Sequence, residues 1–253
     1  TAITISDDKL FVTGDNKLQI IEITGKLNTE LAFPGKPATI AVFNETVYVS
    51  INNQILVYNL SGKLLKEWEK PVENSQITAI AASENNVFVA DAGLRKVIRY
   101  STSGEKIGEF DGKAEEGVLH GFIIPSPYFD MDINSYGDLW VVNPGLHSLE
   151  NYTVDGQLRE HWNKTTMMTE GFSGCCNPAH FTFLADGRFV TSEKGLVRIK
   201  TYKPSGEFEG VVAAPAKFKD EGEAPDVSAD SQGNIYALDF DKTQYPIWNQ
   251  VLI

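Results

Sequence analysis

The chain has 253 residues, 42% of them hydrophobic and 11% aromatic, enough apolar side chain for one large core without implying a second domain. Its formal net charge is −12 and its pI about 4.8, an acidic balance that repels phosphate backbones and excludes nucleic acid as a partner. The same charge disfavours docking on anionic membranes, and no apolar run approaches the ~18 residues of a transmembrane helix, so the chain carries no membrane span.

The predicted elements are short strands throughout. Ile3–Ser6, Leu10–Gly14, Leu18–Ile23 and Leu27–Phe33 form a first group of four. Ala38–Phe43, Thr46–Ser50, Ile55–Leu60 and Leu64–Trp68 form a second; Ile77–Ala82, Asn86–Ala90, Lys96–Ser101 and Lys106–Phe110 a third. Tyr128–Ile133, Leu139–Asn143, Leu149–Val154 and Leu158–Trp162 make the fourth, and His180–Leu184, Arg188–Ser192, Val197–Tyr202 and Phe208–Val212 the fifth. A sixth has three strands, Pro225–Ala229, Asn234–Asp239 and Ile247–Ile253. No segment of a dozen residues carries an amphipathic helical period, which leaves room only for short helical turns within loops.

Two markers keep one period. An aromatic residue recurs in the second strand of each group, at Phe11, Tyr48, Phe88, Trp140, Phe189 and Tyr236, with gaps of 37, 40, 52, 49 and 47. The turn between third and fourth strands ends in Gly25, Gly62, Gly104, Gly156 and Gly206, where a tight hairpin needs positive φ. Repetition of short strands every 40 to 50 residues predicts a six-bladed β-propeller of four-stranded antiparallel blades, spanning residues 1–253 as a single domain. The last blade is incomplete on this count. The strand Ile247–Ile253 therefore offers an edge for strand addition by a partner, unless a further strand of the chain covers it.

The repeats are interrupted in their middle by three long loops, Gly112–Pro127, Asn163–Pro178 and Pro215–Pro225. All are expected on the face that bears the blade-to-blade connections, together with the shorter loops Asp91–Arg95, Asn143–His147 and Glu193–Leu196. His120, His147, His180, Cys175, Cys176, Asn177 and Glu193 gather on that predicted face, whereas His161 falls in an outer strand. Adjacent Cys175 and Cys176 read in three ways: a vicinal disulfide, as expected in an oxidising compartment with no other cysteine to pair with; two thiolates that hold copper or zinc with His120, His147 or His180; or packed, inert thiols. Asp91, Asn143, Glu193 and Asp239 occupy equivalent strand ends. They either bond backbone amides in the next turn or offer oxygen ligands to calcium. No nucleophile elbow, phosphate loop, His-Glu-x-x-His or dinucleotide fingerprint is present, so no catalytic residue is assigned. Four sequons, at Asn44, Asn59, Asn151 and Asn163, and a first residue other than Met are those of an extracytoplasmic protein: periplasmic, cell-surface or secreted.

The stretch Asn86-Val-Phe-Val-Ala-Asp91, followed by Val97-Ile-Arg-Tyr100 and Ser103-Gly104-Glu105, resembles the repeats of NHL propellers, and blades five and six follow it more loosely. Gly171-Phe-Ser-Gly-Cys-Cys-Asn-Pro178 through Thr191-Ser-Glu-Lys-Gly195 resembles an exported prokaryotic subgroup of that family. The resemblance implies a fold, with members that range from protein-binding domains to lyases and lactonases using a metal in the central channel; it carries over no catalytic residue. The expectation is a non-enzymatic module that binds a protein or small molecule through the face around Cys175-Cys176. A metal- or disulfide-dependent redox accessory and a channel-metal hydrolase or lyase are the alternatives, separated by whether a metal binds and through which ligands.

Overall fold

A computed structural model describes residues 1–70, 72–113, 121–218 and 222–238, and the backbone of a strand at Ile247–Trp248. It is all-β, with five four-stranded antiparallel sheets and a three-stranded sixth, the blades of a β-propeller. The chain falls into two compact units, Thr1–Glu109 and Phe110–Ile253.

The N-terminal unit holds three blades. The first comprises β1 Ile3–Ser6, β2 Lys9–Gly14, β3 Lys17–Glu22 and β4 Leu27–Ala32; the second, β5 Pro37–Phe43, β6 Thr46–Ile51, β7 Gln54–Asn59 and β8 Leu64–Glu67. The third comprises β9 Ile77–Ala82, β10 Val87–Asp91, β11 Lys96–Tyr100 and β12 Lys106–Phe110, whose last residue starts the next unit. Its hairpins are tight because Asp, Asn and Glu pairs supply positive φ at both turn positions, as at Asp7-Asp8, Asp15-Asn16, Asn44-Glu45 and Asn52-Asn53. The second strands are buried almost end to end, and β6 is packed on both sides, between the first and third blades. Phe11, Leu18, Ile20 and Phe33 pack against Ile40, Val47, Val49 and Leu56, and Tyr48, Ile55 and Trp68 pack against Ile77, Ile80 and Val87.

The C-terminal unit repeats the plan with β13 Met131–Ile133, β14 Leu139–Asn143, β15 Ser148–Tyr152 and β16 Leu158–Asn163, then β17 His180–Phe183, β18 Phe189–Glu193, β19 Arg198–Tyr202 and β20 Phe208–Ala213. The small sheet contains β21 Val227–Ala229, β22 Ile235–Ala237 and β23 Ile247–Trp248. Two 3-10 turns, Pro144–Leu146 and Pro215–Lys217, each start on proline, whose fixed φ suits a first helical position. Trp140, Phe172, Phe181, Phe189 and Tyr202 form one core between blades, with Trp162 packed against it. Leu184, Val190 and Ile199 join Val227, Ile235 and Ala237 in the next.

The five predicted turn glycines all stand at positive φ, between 78° and 89°. The inner strands of the C-terminal unit are shorter than expected. The strand predicted from Tyr128 begins at Met131, because a tight turn bonds Tyr128 N–H to Ser126 O and the Asp130 carboxylate takes the Met131 N–H. The strand predicted from Pro225 begins at Val227, whose N–H goes to the Asp226 carboxylate. Of the predicted edge Ile247–Ile253, only Ile247–Trp248 lies within the described residues, paired with β22.

Candidate functional site

Register places three polar residues at one equivalent position in successive blades of the C-terminal unit. Val142 N–H bonds Asp130 O, His180 pairs with Ser192, and Leu238 N–H bonds Asp226 O. Asp130, His180 and Asp226 thus occupy the same rung at the start of β13, β17 and β21. In the N-terminal unit the same rung carries Ala2, Thr39 and Ala79. Two residues on, and so on the same face of each strand, come Asp132, Thr182 and Ser228.

The first three converge. His180 Nδ1 lies 3.5 Å from Asp130 Oδ2 and 3.8 Å from Asp226 Oδ1, and one ligand atom from each residue falls within 4.8 Å of the others. Their side chains are 14–22% exposed, reachable from solvent but largely enclosed. Asp130 is held on both oxygens, by Met131 N–H at 2.9 Å and by Phe181 N–H at 3.0 Å from the next strand. Asp132 accepts from Ile133 N–H at 2.8 Å and from Thr182 Oγ1 at 2.9 Å.

These groups shift one another. Burial, with smaller contributions from the charges of Asp130 and Asp226, pushes the Asp132 carboxyl up to about 7. Burial opposes protonation of His180, but hydrogen bonding to Asp130 and the charges of Asp226 and Asp130 outweigh it and raise its pKa. One imidazolium cannot balance the surrounding carboxylates, and an enclosed excess of negative charge favours a cation. Ligand atoms about 2.1 Å from a shared ion stand roughly 3 to 4 Å apart, and His180 Nδ1 has that spacing to each carboxylate. An imidazole nitrogen with two carboxylate oxygens suits zinc, manganese or iron rather than copper held by thiolates.

Beside this cluster stands Tyr128, its ring edge-on to His180 at 5.5 Å between centroids. Lys194 Nζ sits 5.0 Å above the same ring and donates to Ser126 Oγ at 3.2 Å. Cys176, fully buried, is hydrogen-bonded to Ser126, Lys194 and Cys175. Burial alone would raise its pKa, but those hydrogen bonds and the Lys194 charge bring it below the ordinary thiol value. Cys175 is exposed, and its hydrogen bond to Cys176 raises its pKa.

The predicted face is thus partly assembled. Cys175 and Cys176 stand as a pair of thiols, their sulfurs 3.0 Å apart, against the ~2.05 Å of an S–S bond. Neither belongs to the His-carboxylate cluster. His147 is a loop anchor, its Nε2 donating to Gly174 O at 2.5 Å while Nδ1 accepts from Thr165 Oγ1 at 3.0 Å. Asn177 is another: Nδ2 donates to Ser173 O and Lys194 O, and Oδ1 accepts Lys194 N–H. Glu193 is buried between Arg198, whose Nη2 lies at 2.7 Å, and Lys200, whose Nζ lies at 2.8 Å. Asp91 accepts the N–H groups of Gln76 and Leu94, and Asn143 that of Ile123, so both serve the backbone-bonding role. His161 is exposed in β16. His120 and Asp239 lie outside the described residues.

Sequence reading named only His180 of the central cluster. Asp130 and Asp226 each precede by ten residues the aromatic of their second strand, Trp140 and Tyr236, and His180 precedes Phe189 by nine; that near-alignment was the available signal. Lys200 was missed as well. Wholly buried, it donates to Thr169 O at 3.1 Å and Gly171 O at 2.7 Å, stands over the Phe172 ring at 4.5 Å, and is pushed down to about 8 by burial. It ties the long loop Asn163–Pro178 to the blade below.

No family model matches the chain, and no curated protein does. Among solved structures the fold is similar to a streptogramin B lyase, with 17% identity and a TM-score of 0.67 over 100% of this chain and 83% of that one. It is also similar to a catalytically inactive histidine-to-alanine variant of virginiamycin B lyase from Staphylococcus aureus with quinupristin, with 20% identity and a TM-score of 0.64 over 93% and 75%. A protein of unknown function from Bacteroides caccae matches with 15% identity and a TM-score of 0.63 over 92% and 83%. At such identities the likeness is one of fold: this chain shares a β-propeller architecture with virginiamycin B lyase-like proteins.

Proposed function

We propose that this chain is a metal-dependent enzyme of the lyase or hydrolase class, with its centre at Asp130, His180 and Asp226. The observation that carries the proposal is the convergence of one imidazole and two carboxylates at one rung of three successive blades. The reading favours the channel-metal alternative over a redox accessory, because the cysteines stand outside the ligand set. Propellers of like fold that are lyases support it, as does the loss of catalysis in one of them on removal of a histidine.

Asp130, His180 and Asp226 would hold the ion, which when bound supplies Lewis acidity toward a substrate oxygen. Asp132, poised near neutrality beside them and oriented by Thr182, is the residue to take up or give a proton. Tyr128 and Lys194 form one wall, and Lys194 offers a cation to an anionic group of the substrate. A binding role for the loop-rich face rests on a separate observation: Met167 and Met168 are 86% and 64% exposed at the tip of the long loop, an apolar contact surface of the adaptable kind. An extracytoplasmic setting is part of the proposal.

Calorimetric titration of chelator-treated protein with zinc, manganese and magnesium salts tests the centre. One ion per chain is expected, with binding lost in Asp226→Asn and in His180→Ala. Equal binding by all three proteins, or none by the wild type, sinks the proposal.

A further inference from the structure

The two thiols are placed for chemistry that the carboxylate centre does not use. Three tethers fix their loop: His147 to Gly174 O, Asn177 to Ser173 O and the Lys194 backbone, and Lys200 to Thr169 O and Gly171 O. A parallel bridge between Thr165 and Phe172 closes its base. The backbone bends at Cys175 and Cys176, and their sulfurs are turned together to 3.0 Å. One is exposed and the other fully buried against Ser126 and Lys194.

We propose that Cys175-Cys176 is a thiol–disulfide exchange site whose substrate is the disulfide of a low-molecular-weight thiol. The burial difference sets the order of events. Cys175, the accessible sulfur, attacks as thiolate one sulfur of the incoming disulfide. That S–S bond breaks, a mixed disulfide forms on Cys175, and the departing thiolate takes up the proton that Cys175 lost. Cys176 then attacks the Cys175 sulfur as thiolate, closing the vicinal disulfide and expelling the second small thiolate, which takes the Cys176 proton. The two protein thiols lose two electrons and the small disulfide gains them, yielding two small thiols. Ser126 and Lys194 stabilise the thiolate that the second step needs. Oxidation removes that thiolate from Lys194, which stands over Tyr128 beside His180, so the redox state is felt next to the carboxylate cluster.

The proposal is independent of metal binding and is tested separately. Reduced protein is equilibrated in glutathione buffers of graded thiol-to-disulfide ratio, quenched with N-ethylmaleimide in denaturant so that the buried thiol is also counted, and weighed by mass spectrometry. The wild type should pass in one two-electron step from two maleimides per chain to none, with no lasting glutathione adduct. Cys176→Ser should trap a stable adduct on Cys175, and Cys176→Ala should do the same if serine disturbs the buried position. Cys175→Ser should form no adduct while folded. Thiols that stay alkylatable in the most oxidising buffer, or a glutathione adduct that persists in the wild type, would overturn it.

Discussion

Asp132 gives the most quantitative handle on the carboxylate centre. In metal-free protein its carboxyl titrates near 7, raised first by burial and then by Asp130 and Asp226, against an unfolded value of about 3.9. A carboxyl raised on folding favours the folded state while it is protonated. Its contribution is therefore full below the unfolded value and is lost as pH rises toward 7. Integrating the difference in bound protons between pH 5 and 7 gives a loss of about 2 kcal/mol from this one group. His180, also raised, acts in the same sense and loses its contribution as pH rises through its folded value. The test is urea unfolding in chelator at pH 5, 6 and 7, for the wild type and for Asp132→Asn. The wild type should weaken over that interval by about 2 kcal/mol more than the variant, whose remaining slope belongs to His180 and to groups common to both. Matching slopes would show that Asp132 is ionised throughout, which would refute both its assignment as the proton-handling group and the idea that the cluster crowds its charges. Adding a bound cation should abolish the difference with release of protons, because a neighbouring positive charge favours the carboxylate.

Other consequences are direct. Lys200→Met should cost roughly 3–5 kcal/mol by removing one member of a buried ion-pair group, read by urea unfolding. It should also make Cys176 alkylatable in the native state, since Thr169 O and Gly171 O lose their donor. Phe172→Ala should cost about 3–5 kcal/mol, because the ring is fully buried against Trp162 and Tyr202, 6.0 and 5.4 Å away between centroids. Gly93→Ala puts a methyl 1.9 Å from Asn74 O; a loss of about 1–3 kcal/mol is expected, with the cysteine exchange of the other unit unchanged.

The blades were legible because each is a local object. A second strand such as Val47-Tyr48-Val49 or Val87-Phe88-Val89 must be apolar along its whole length to sit between neighbours, and the hairpin after it must hold a residue at positive φ. Both demands leave marks within one repeat. Strand ends were misjudged at Tyr128 and Pro225, where the side chains of Asp130 and Asp226 take N–H groups just inside the strand; that competition between side chain and ladder leaves little trace in hydrophobic pattern. The loop residues were judged by type. His147, Asn177 and Glu193 are polar and surround the long loop, but each is satisfied by backbone or ion-pair partners, which makes them supports of the loop.

The carboxylate centre was illegible for a different reason, and it bears on how such a site comes to exist in a repeat protein. Asp130, His180 and Asp226 are separated by 50 and 46 residues, so no spacing motif can join them; only the rung they share does. In a repeat architecture every blade offers that rung, and the fold tolerates wide chemistry there: Ala2, Thr39 and Ala79 occupy it in the N-terminal unit. A polar residue in one blade would be an isolated charge with no partner, costly if enclosed. Three in succession offset one another, and still leave an excess of negative charge around His180. The rung beyond repeats the contrast, with Asp132, Thr182 and Ser228 against Thr4, Ala41 and Ala81. Titratable residues on two consecutive rungs, confined to the unit that also carries the long loop and its two thiols, are the pattern of a site grafted onto a scaffold whose stability comes from the apolar contacts between blades.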